Sequence, residues 1–225
     1  MARVLVSWSG GKDSAMALAE TFRNKRYDVA ALLTTVTRDY DRISMHGVRR
    51  VLLKQQAESL GLKLEEVFIT KNASNEEYEM NMAKALAKFQ DSGVTSVVFG
   101  DIFLEDLRKY REEKLNSMSM RGLFPIWKRE TNELAHSFIR SGFKAITTCV
   151  DTSVLGQEFV GREINEAFLS ELPTGVDPCG ENGEYHSFVY DGPIFKKRIR
   201  FSLGEKLLRD KRFYYCDLVE LHDNI

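Results

Sequence analysis

Apolar, β-branched runs alternate with helix-periodic segments from Arg3 to Val150, and few architectures accommodate that alternation. Arg3–Trp8 reads as a strand. Ser14–Lys25 follows it, with Met16, Ala17, Leu18, Ala19 and Phe22 at spacings that make a broad apolar helix face. Val29–Val36 is a second buried strand. A polar connector, Thr37–His46, leads to a helix over Val48–Leu60 with Gly61 as its stop. Leu64–Ile69 is a third strand, and Ser74 or Asn75 caps a helix carrying Tyr78, Met82, Leu86 and Phe89 on one side. Strand Ser96–Gly100, helix Leu104–Leu115, strand Leu123–Trp127, helix Thr131–Ser141 and strand Phe143–Val150 complete the series. The rhythm predicts an α/β fold: a Rossmann-like, mostly parallel sheet with helices on both faces. Ligands of such sheets gather beyond the carboxyl ends of the strands.

Beyond Asp151 the rhythm changes. One helical segment, Gly161–Leu172, precedes a Pro/Gly-rich stretch, Pro173–Gly183, and Tyr185–Leu221 reads as strands with short polar turns. The expected organisation is an α/β domain over residues 1–152 and a smaller α+β part over 153–225, packed against the sheet. The 32 Lys and Arg nearly cancel the 33 Asp and Glu, which argues against a chain held to DNA by bulk positive charge. No apolar run approaches the roughly 20 residues of a membrane-spanning helix. Cys149, Cys179 and Cys216 are an odd set with no C-x-x-C pair. Neither a disulfide framework nor a four-cysteine zinc site is expected, and buried free thiols in a reducing, cytoplasmic setting are.

The strongest local signal is Ser9-Gly10-Gly11-Lys12-Asp13-Ser14, directly after an apolar strand and opening a helix. Two glycines let backbone approach an anion closely, and the first N–H groups of the helix, with the positive end of its dipole, favour phosphate. Ser9 and Ser14 add hydroxyls, Lys12 a mobile charge, and Asp13 a helix cap or a ligand for Mg²⁺ on a polyphosphate. Spacing excludes a G-x-x-x-x-G-K-[ST] loop and a G-x-G-x-x-G fingerprint.

The hexapeptide instead resembles the S-G-G-x-D-S pyrophosphate loop of the ATP pyrophosphatases. Asp177-Pro178-Cys179-Gly180-Glu181-Asn182-Gly183-Glu184-Tyr185-His186 resembles the G-E-N-G-E-[FY]-H-[ST] signature of the diphthine–ammonia ligase (diphthamide synthetase) family within that superfamily. Met45-His46-Gly47, Gly100-Asp101-Ile102 and Val160-Gly161-Arg162-Glu163 are supporting matches, so the resemblance runs over about residues 3–200. It implies a sheet of the adenine nucleotide alpha hydrolase type and the short form of the family, without the deaminase-like domains of eukaryotic members.

The resemblance also implies the chemistry. A carboxylate is adenylated by ATP with release of pyrophosphate, and ammonia then displaces AMP to give an amide. The implied acceptor is diphthine on translation elongation factor 2. ATP and Mg²⁺ are the implied cofactors, and no protein nucleophile is needed because the work is electrostatic stabilisation of the leaving pyrophosphate. Ser9, Gly10, Gly11, Lys12, Asp13 and Ser14 are expected on the phosphates, with Lys12 and Asp13 acting in the reaction. Thr34, Thr35, Gly100 and Asp101 are expected near the nucleoside, and His46 at the phosphates or the adenylate. Glu181, Asn182, Gly183, Glu184 and His186 are expected on the acceptor or ammonium. Either Glu181 or Glu184 can take the proton that turns ammonium into the nucleophile.

Three other readings stay open at this stage: the same chemistry on a small-metabolite carboxylate such as a cobalamin precursor, tRNA thiolation or lysidine-type modification, and an adenine-nucleotide sensor without turnover. Self-association as a homodimer is also left open. The charged run Glu105–Lys114 reads as a solvated helix and Lys196-Lys197-Arg198 as a polar strand face.

Overall fold

The computed structural model describes residues 1–43 and 47–221. In chain order its elements begin with β1 (Ala2–Ser7), α1 (Lys12–Arg23), β2 (Tyr27–Thr37), β3 (Arg42–Ile43), α2 (Arg50–Leu60) and β4 (Leu64–Ile69). They continue with α3 (Asn75–Gln90), β5 (Val94–Val98), α4 (Glu105–Asn116), β6 (Arg121–Leu123) and α5 (Thr131–Arg140). The last are β7 (Lys144–Asp151), α6 (Glu166–Ser170), β8 (Tyr185–Asp191), β9 (Phe201–Arg209) and β10 (Phe213–Glu220). Two compact units contain them. Among the described residues, 1–9, 13–43 and 62–128 make the first, and 10–12, 47–61 and 129–221 the second.

The first unit is built on a parallel sheet. Leu32 and Leu33 of β2 pair with β1 on one side and β4 on the other, and β1 pairs in turn with β5, then β5 with β6. The parallel order is therefore β4-β2-β1-β5-β6, with the short β3 antiparallel to the end of β2. Val4, Leu5 and Val6 are fully buried, as expected of a central parallel strand covered on both faces. Ser74 caps α3, its hydroxyl accepting from the Glu77 N–H at 3.2 Å. Leu5, Ala31, Leu33, Val97 and Phe99 share one core cluster with Leu86 of α3 and Leu115 of α4. The chain builds outward from β1 through β2 to β4, then returns past β1 to β5. That reversal is a topological switch point at the carboxyl ends of β1 and β5, where doubly wound sheets bind ligands.

The second unit holds an antiparallel sheet, ordered β8-β7-β10-β9. In it Phe138 of α5 stacks on Phe143, and Phe168 of α6 packs edge-on against both Phe159 and Tyr185. Gly61 closes α2 in the left-handed conformation, its N–H donating to Ala57 and Glu58 carbonyls. All three cysteines are buried free thiols, and burial pushes Cys149 up to about 12. No helix among the described residues is long and apolar enough to cross a membrane.

Three elements differ from the sequence expectation. The strand expected over Leu123–Trp127 ends at Leu123, because Pro125 has no N–H for a ladder and the Trp127 N–H turns back to the Phe124 carbonyl at 3.1 Å. The helix expected over Gly161–Leu172 is confined to Glu166–Ser170. Gly161 has φ +77°, and the N–H groups of Gly161 and Ile164 donate to carbonyls of β7 instead of starting a turn. Finally, the strand over Phe143–Val150, β7, pairs antiparallel with β8 and β10, so it belongs to the antiparallel sheet and not to the parallel series.

Candidate active site

In the first unit, β1 is prolonged past Ser7 by the Trp8 N–H donating to the Leu33 carbonyl at 2.8 Å, which aims the following loop out of the sheet's carboxyl edge. Ser9 and Ser14 face one another with hydroxyls 3.3 Å apart, across the opening of α1, and Asp13 lies in its first turn. The corner after β5 closes tightly on this turn. A Cβ on Gly100 would sit 2.7 Å from the Asp13 carbonyl carbon and 2.9 Å from the Ser14 nitrogen. Gly100 is thus needed for the close approach of two backbones.

Asp101 follows, 8% exposed, with Arg111 Nε 3.1 Å from its Oδ2 and the Arg111 guanidinium over the Phe99 ring at 4.3 Å. Burial raises the Asp101 carboxyl above the usual range. Arg111 opposes that rise and the nearby Asp13 charge adds to it. The Thr34 hydroxyl on β2 is buried without a hydrogen bond. Thr35, one residue on, is half-buried on the opposite face of the strand, the face that carries Ala31 and Leu33.

In the second unit, Gly10, at φ +78°, accepts at its carbonyl from the Val189 N–H at 2.9 Å and from Gln56 Nε2 at 3.0 Å. Lys12 is only 4% exposed. Its backbone N–H donates to the Ser187 hydroxyl at 3.1 Å, its ammonium donates to the Cys179 carbonyl, and the Tyr185 ring centroid is 5.3 Å away. The residues that meet Lys12 are therefore those of the Asp177–Ser187 segment, 167 positions on for Cys179.

That segment is shaped from within. Glu184, buried, accepts from the Asp177 N–H at 3.1 Å, the Asn182 N–H at 3.0 Å and Asn182 Nδ2 at 2.9 Å. Asp177 Oδ1 accepts from the N–H groups of Cys179 and Glu181, and the Tyr185 hydroxyl donates to the Pro178 carbonyl at 2.6 Å. Gly180 and Gly183 take left-handed conformations, and a side chain on Gly180 would strike the Tyr185 ring. Glu181 is half-buried and Asn182 exposed at the loop surface.

Burial, and secondarily the Lys12 charge, push His186 down from 6.5 to about 4, so it is neutral near pH 7. Because the folded value lies below the unfolded one, the associated stability is complete above pH 6.5 and is lost as pH falls from 6.5 to 4. The expected loss is on the order of a few kcal/mol, and urea unfolding of wild type and His186→Gln checks it. The wild type should weaken more steeply than the variant inside that window and in parallel with it above. Parallel curves throughout would refute the assignment.

His46 lies outside the described residues. Its neighbour Gly47 packs against Tyr215, where a Cβ would come within 2.9 Å of the ring. Gln56 and Ser187 in the second unit, and Arg111 in the first, are contacts that the sequence did not mark as site residues. The available signal for Gln56 was its place among Leu52, Leu53, Ala57 and Leu60 on the buried stripe of α2, where a polar residue is the informative exception.

Sequence comparison agrees with this anatomy. Residues 2–121 match the model of the diphthamide synthase N-terminal domain, and residues 130–219 that of the diphthamide synthase C-terminal domain. The Bos taurus diphthine–ammonia ligase is 30% identical over 131 residues, 53% of this chain and 48% of that protein. The Danio rerio diphthine–ammonia ligase is 32% identical over 125 residues, 53% of this chain and 49% of that protein. The Schizosaccharomyces pombe diphthine–ammonia ligase is 27% identical over 146 residues, 63% of this chain but 24% of that protein. The match thus spans about half the length of the vertebrate relatives and about a quarter of the yeast one. With both domain models matched in order along nearly its whole length, the chain belongs to the diphthamide synthase family.

Proposed function

We propose that the chain is an ATP-dependent amide-forming ligase that adenylates the carboxylate of diphthine on translation elongation factor 2 and transfers ammonia to it. The observation that carries the reading is the meeting, at Lys12, of the glycine loop with the Asp177–Ser187 segment. One is a phosphate-type loop at a helix start, and the other presents carboxylate, amide and imidazole groups. In this reading the parallel sheet binds ATP and the antiparallel sheet serves acceptor recognition.

In the first step an acceptor carboxylate oxygen attacks the α-phosphorus and pyrophosphate leaves with the electron pair. Gly10, Gly11, the start of α1 and the Lys12 ammonium stabilise the charge that gathers on that leaving group. The residues present also suit Mg²⁺. Asp13 and Asp101 are carboxylates close enough to perturb one another, with Asp101 Oδ2 ion-paired to Arg111 Nε at 3.1 Å. One or two carboxylates with phosphate oxygens are a usual Mg²⁺ environment. When bound, the ion neutralises phosphate charge. The buried Thr34 hydroxyl is available to the nucleoside.

In the second step ammonia attacks the acyl carbon, AMP leaves, and one proton is lost. Glu184 accepts with both carboxylate oxygens from the loop's own N–H groups, and the proton passes to a carboxylate of this segment, Glu181 or Glu184. Neutral His186 is suited to accept a hydrogen bond from ammonia, and it is too weak a base to hold the proton near pH 7.

Incubation with ATP, Mg²⁺, ammonium and diphthine-bearing elongation factor 2 should give AMP, pyrophosphate and a product with one carboxylate fewer. ADP with phosphate would contradict the cleavage point. AMP formed only with small carboxylates would keep the chemistry and remove this acceptor.

A further inference from the structure

Gln56 lies fully buried in α2, and its amide does a specific job at the glycine loop. Nε2 donates to the Gly10 carbonyl at 3.0 Å and to the Val189 carbonyl at 2.6 Å. The same Gly10 carbonyl also accepts from the Val189 N–H at 2.9 Å. Gly10 is therefore docked to β8 as an extra strand residue would be, with the Gln56 amide closing the gap between the two carbonyls. The fit leaves no slack. A Cβ on Gly10 would come within 2.7 Å of Gln56 Oε1 and 3.0 Å of Leu53 Cδ1.

A trans peptide points its C=O and the following N–H in opposite directions. Fixing the Gly10 carbonyl toward Gln56 and Val189 therefore fixes the Gly11 N–H toward the other side. Glycine on both sides of this bond makes the plane easy to turn over, since each residue accepts either sign of φ. A turned plane would present a carbonyl oxygen where an anion is to be held. Resisting that requires a donor held rigidly against the carbonyl, and a buried amide on a helix is one.

We propose that Gln56 is a positioning residue for the pyrophosphate end of ATP: it locks the Gly10–Gly11 peptide so that the Gly11 N–H faces the phosphates. This rests on the reading of the glycine loop as the pyrophosphate site. It predicts a defect confined to phosphate-bearing ligands and absent for the nucleoside and the acceptor.

The experiment is calorimetric binding of inorganic pyrophosphate, ATP and adenosine to wild type, Gln56→Met and Leu52→Ala. Leu52 is equally buried on the same helix, and its variant controls for loss of stability. In Gln56→Met, affinity for pyrophosphate and ATP should fall about tenfold or more, with adenosine unchanged and the ATP KM raised while the acceptor KM is not. Leu52→Ala, though destabilised, should bind pyrophosphate as wild type does. Equal losses in both variants, or no loss in Gln56→Met, would overturn the proposal. A wild type that binds neither pyrophosphate nor ATP would instead overturn the reading of the loop itself. If Gln56→Met does not fold, Gln56→Asn carries the test, since it keeps the buried amide but draws it back by one methylene from Gly10.

Discussion

Lys12→Met is expected to lower formation of AMP and pyrophosphate by about a hundredfold or more, the usual cost of removing one preorganised donor from a developing charge. The substitution keeps the length and apolar stem of the side chain, so its packing beside the Tyr185 ring is preserved and the loss is electrostatic. Lys12 is buried and its ammonium is engaged by the Cys179 carbonyl, so its charge acts in a medium that screens it weakly. Single-turnover assays with saturating ATP separate this loss from one of binding. A second reading comes from His186. The Lys12 charge is the smaller of the two causes that depress it, after burial, so in the variant His186 should titrate above the wild-type value of about 4 and still below 6.5. Wild-type turnover in Lys12→Met would remove the residue from the reaction. An unmoved His186 titration would show that the two groups do not interact.

What the sequence disclosed and what it withheld divide along one line: whether local pattern or a distant partner decides. β1 and the opening of α1 were legible because the apolar Val4-Leu5-Val6 core of a short strand, two glycines and a helix-periodic stretch suffice to specify strand, loop and helix. The Ser74 cap and the Gly61 stop are equally local. The sheet membership of β7 was not legible. Its apolar run is the same whether neighbours lie parallel or antiparallel, and only pairing with β8 and β10 decides. The shortened α6 failed for the same reason, since Gly161–Ile164 is taken up by β7 before a helix can begin. At the site, the Asp177–His186 stretch stood out by residue type, but the hydrogen bonds that Glu184 accepts inside it did not. They follow from which N–H groups the left-handed Gly180 and Gly183 turn toward Glu184, a property of the folded loop. Gln56 was hidden most completely, because its partner atoms are backbone carbonyls that leave no trace in side-chain identity.

Gly100→Ala should be the most damaging single methyl group in the first unit. The added Cβ would lie 2.7 Å from the carbonyl carbon of Asp13, 2.8 Å from its oxygen and 2.9 Å from the Ser14 nitrogen, all backbone atoms. A side chain could swing aside, whereas these atoms can yield only if the first turn of α1 moves. Overpacking of this kind costs about 1–3 kcal/mol, and here the displaced atoms belong to the first turn of α1, whose N–H groups are the proposed phosphate donors. The variant should therefore lose both unfolding free energy and ATP affinity, the latter by about tenfold or more if most of that cost falls on the loop. Gly142→Ala separates steric from conformational effects. Gly142 has φ +83° and nothing within 4 Å of its would-be Cβ, so that variant bears only backbone strain and meets no atom of the loop. It should lose roughly 1 kcal/mol of stability and keep its ATP affinity. Chemical denaturation with calorimetric ATP titration distinguishes the two. Equal ATP affinity in wild type and Gly100→Ala would mean that the approach of the β5 corner to the helix start has no part in holding the nucleotide.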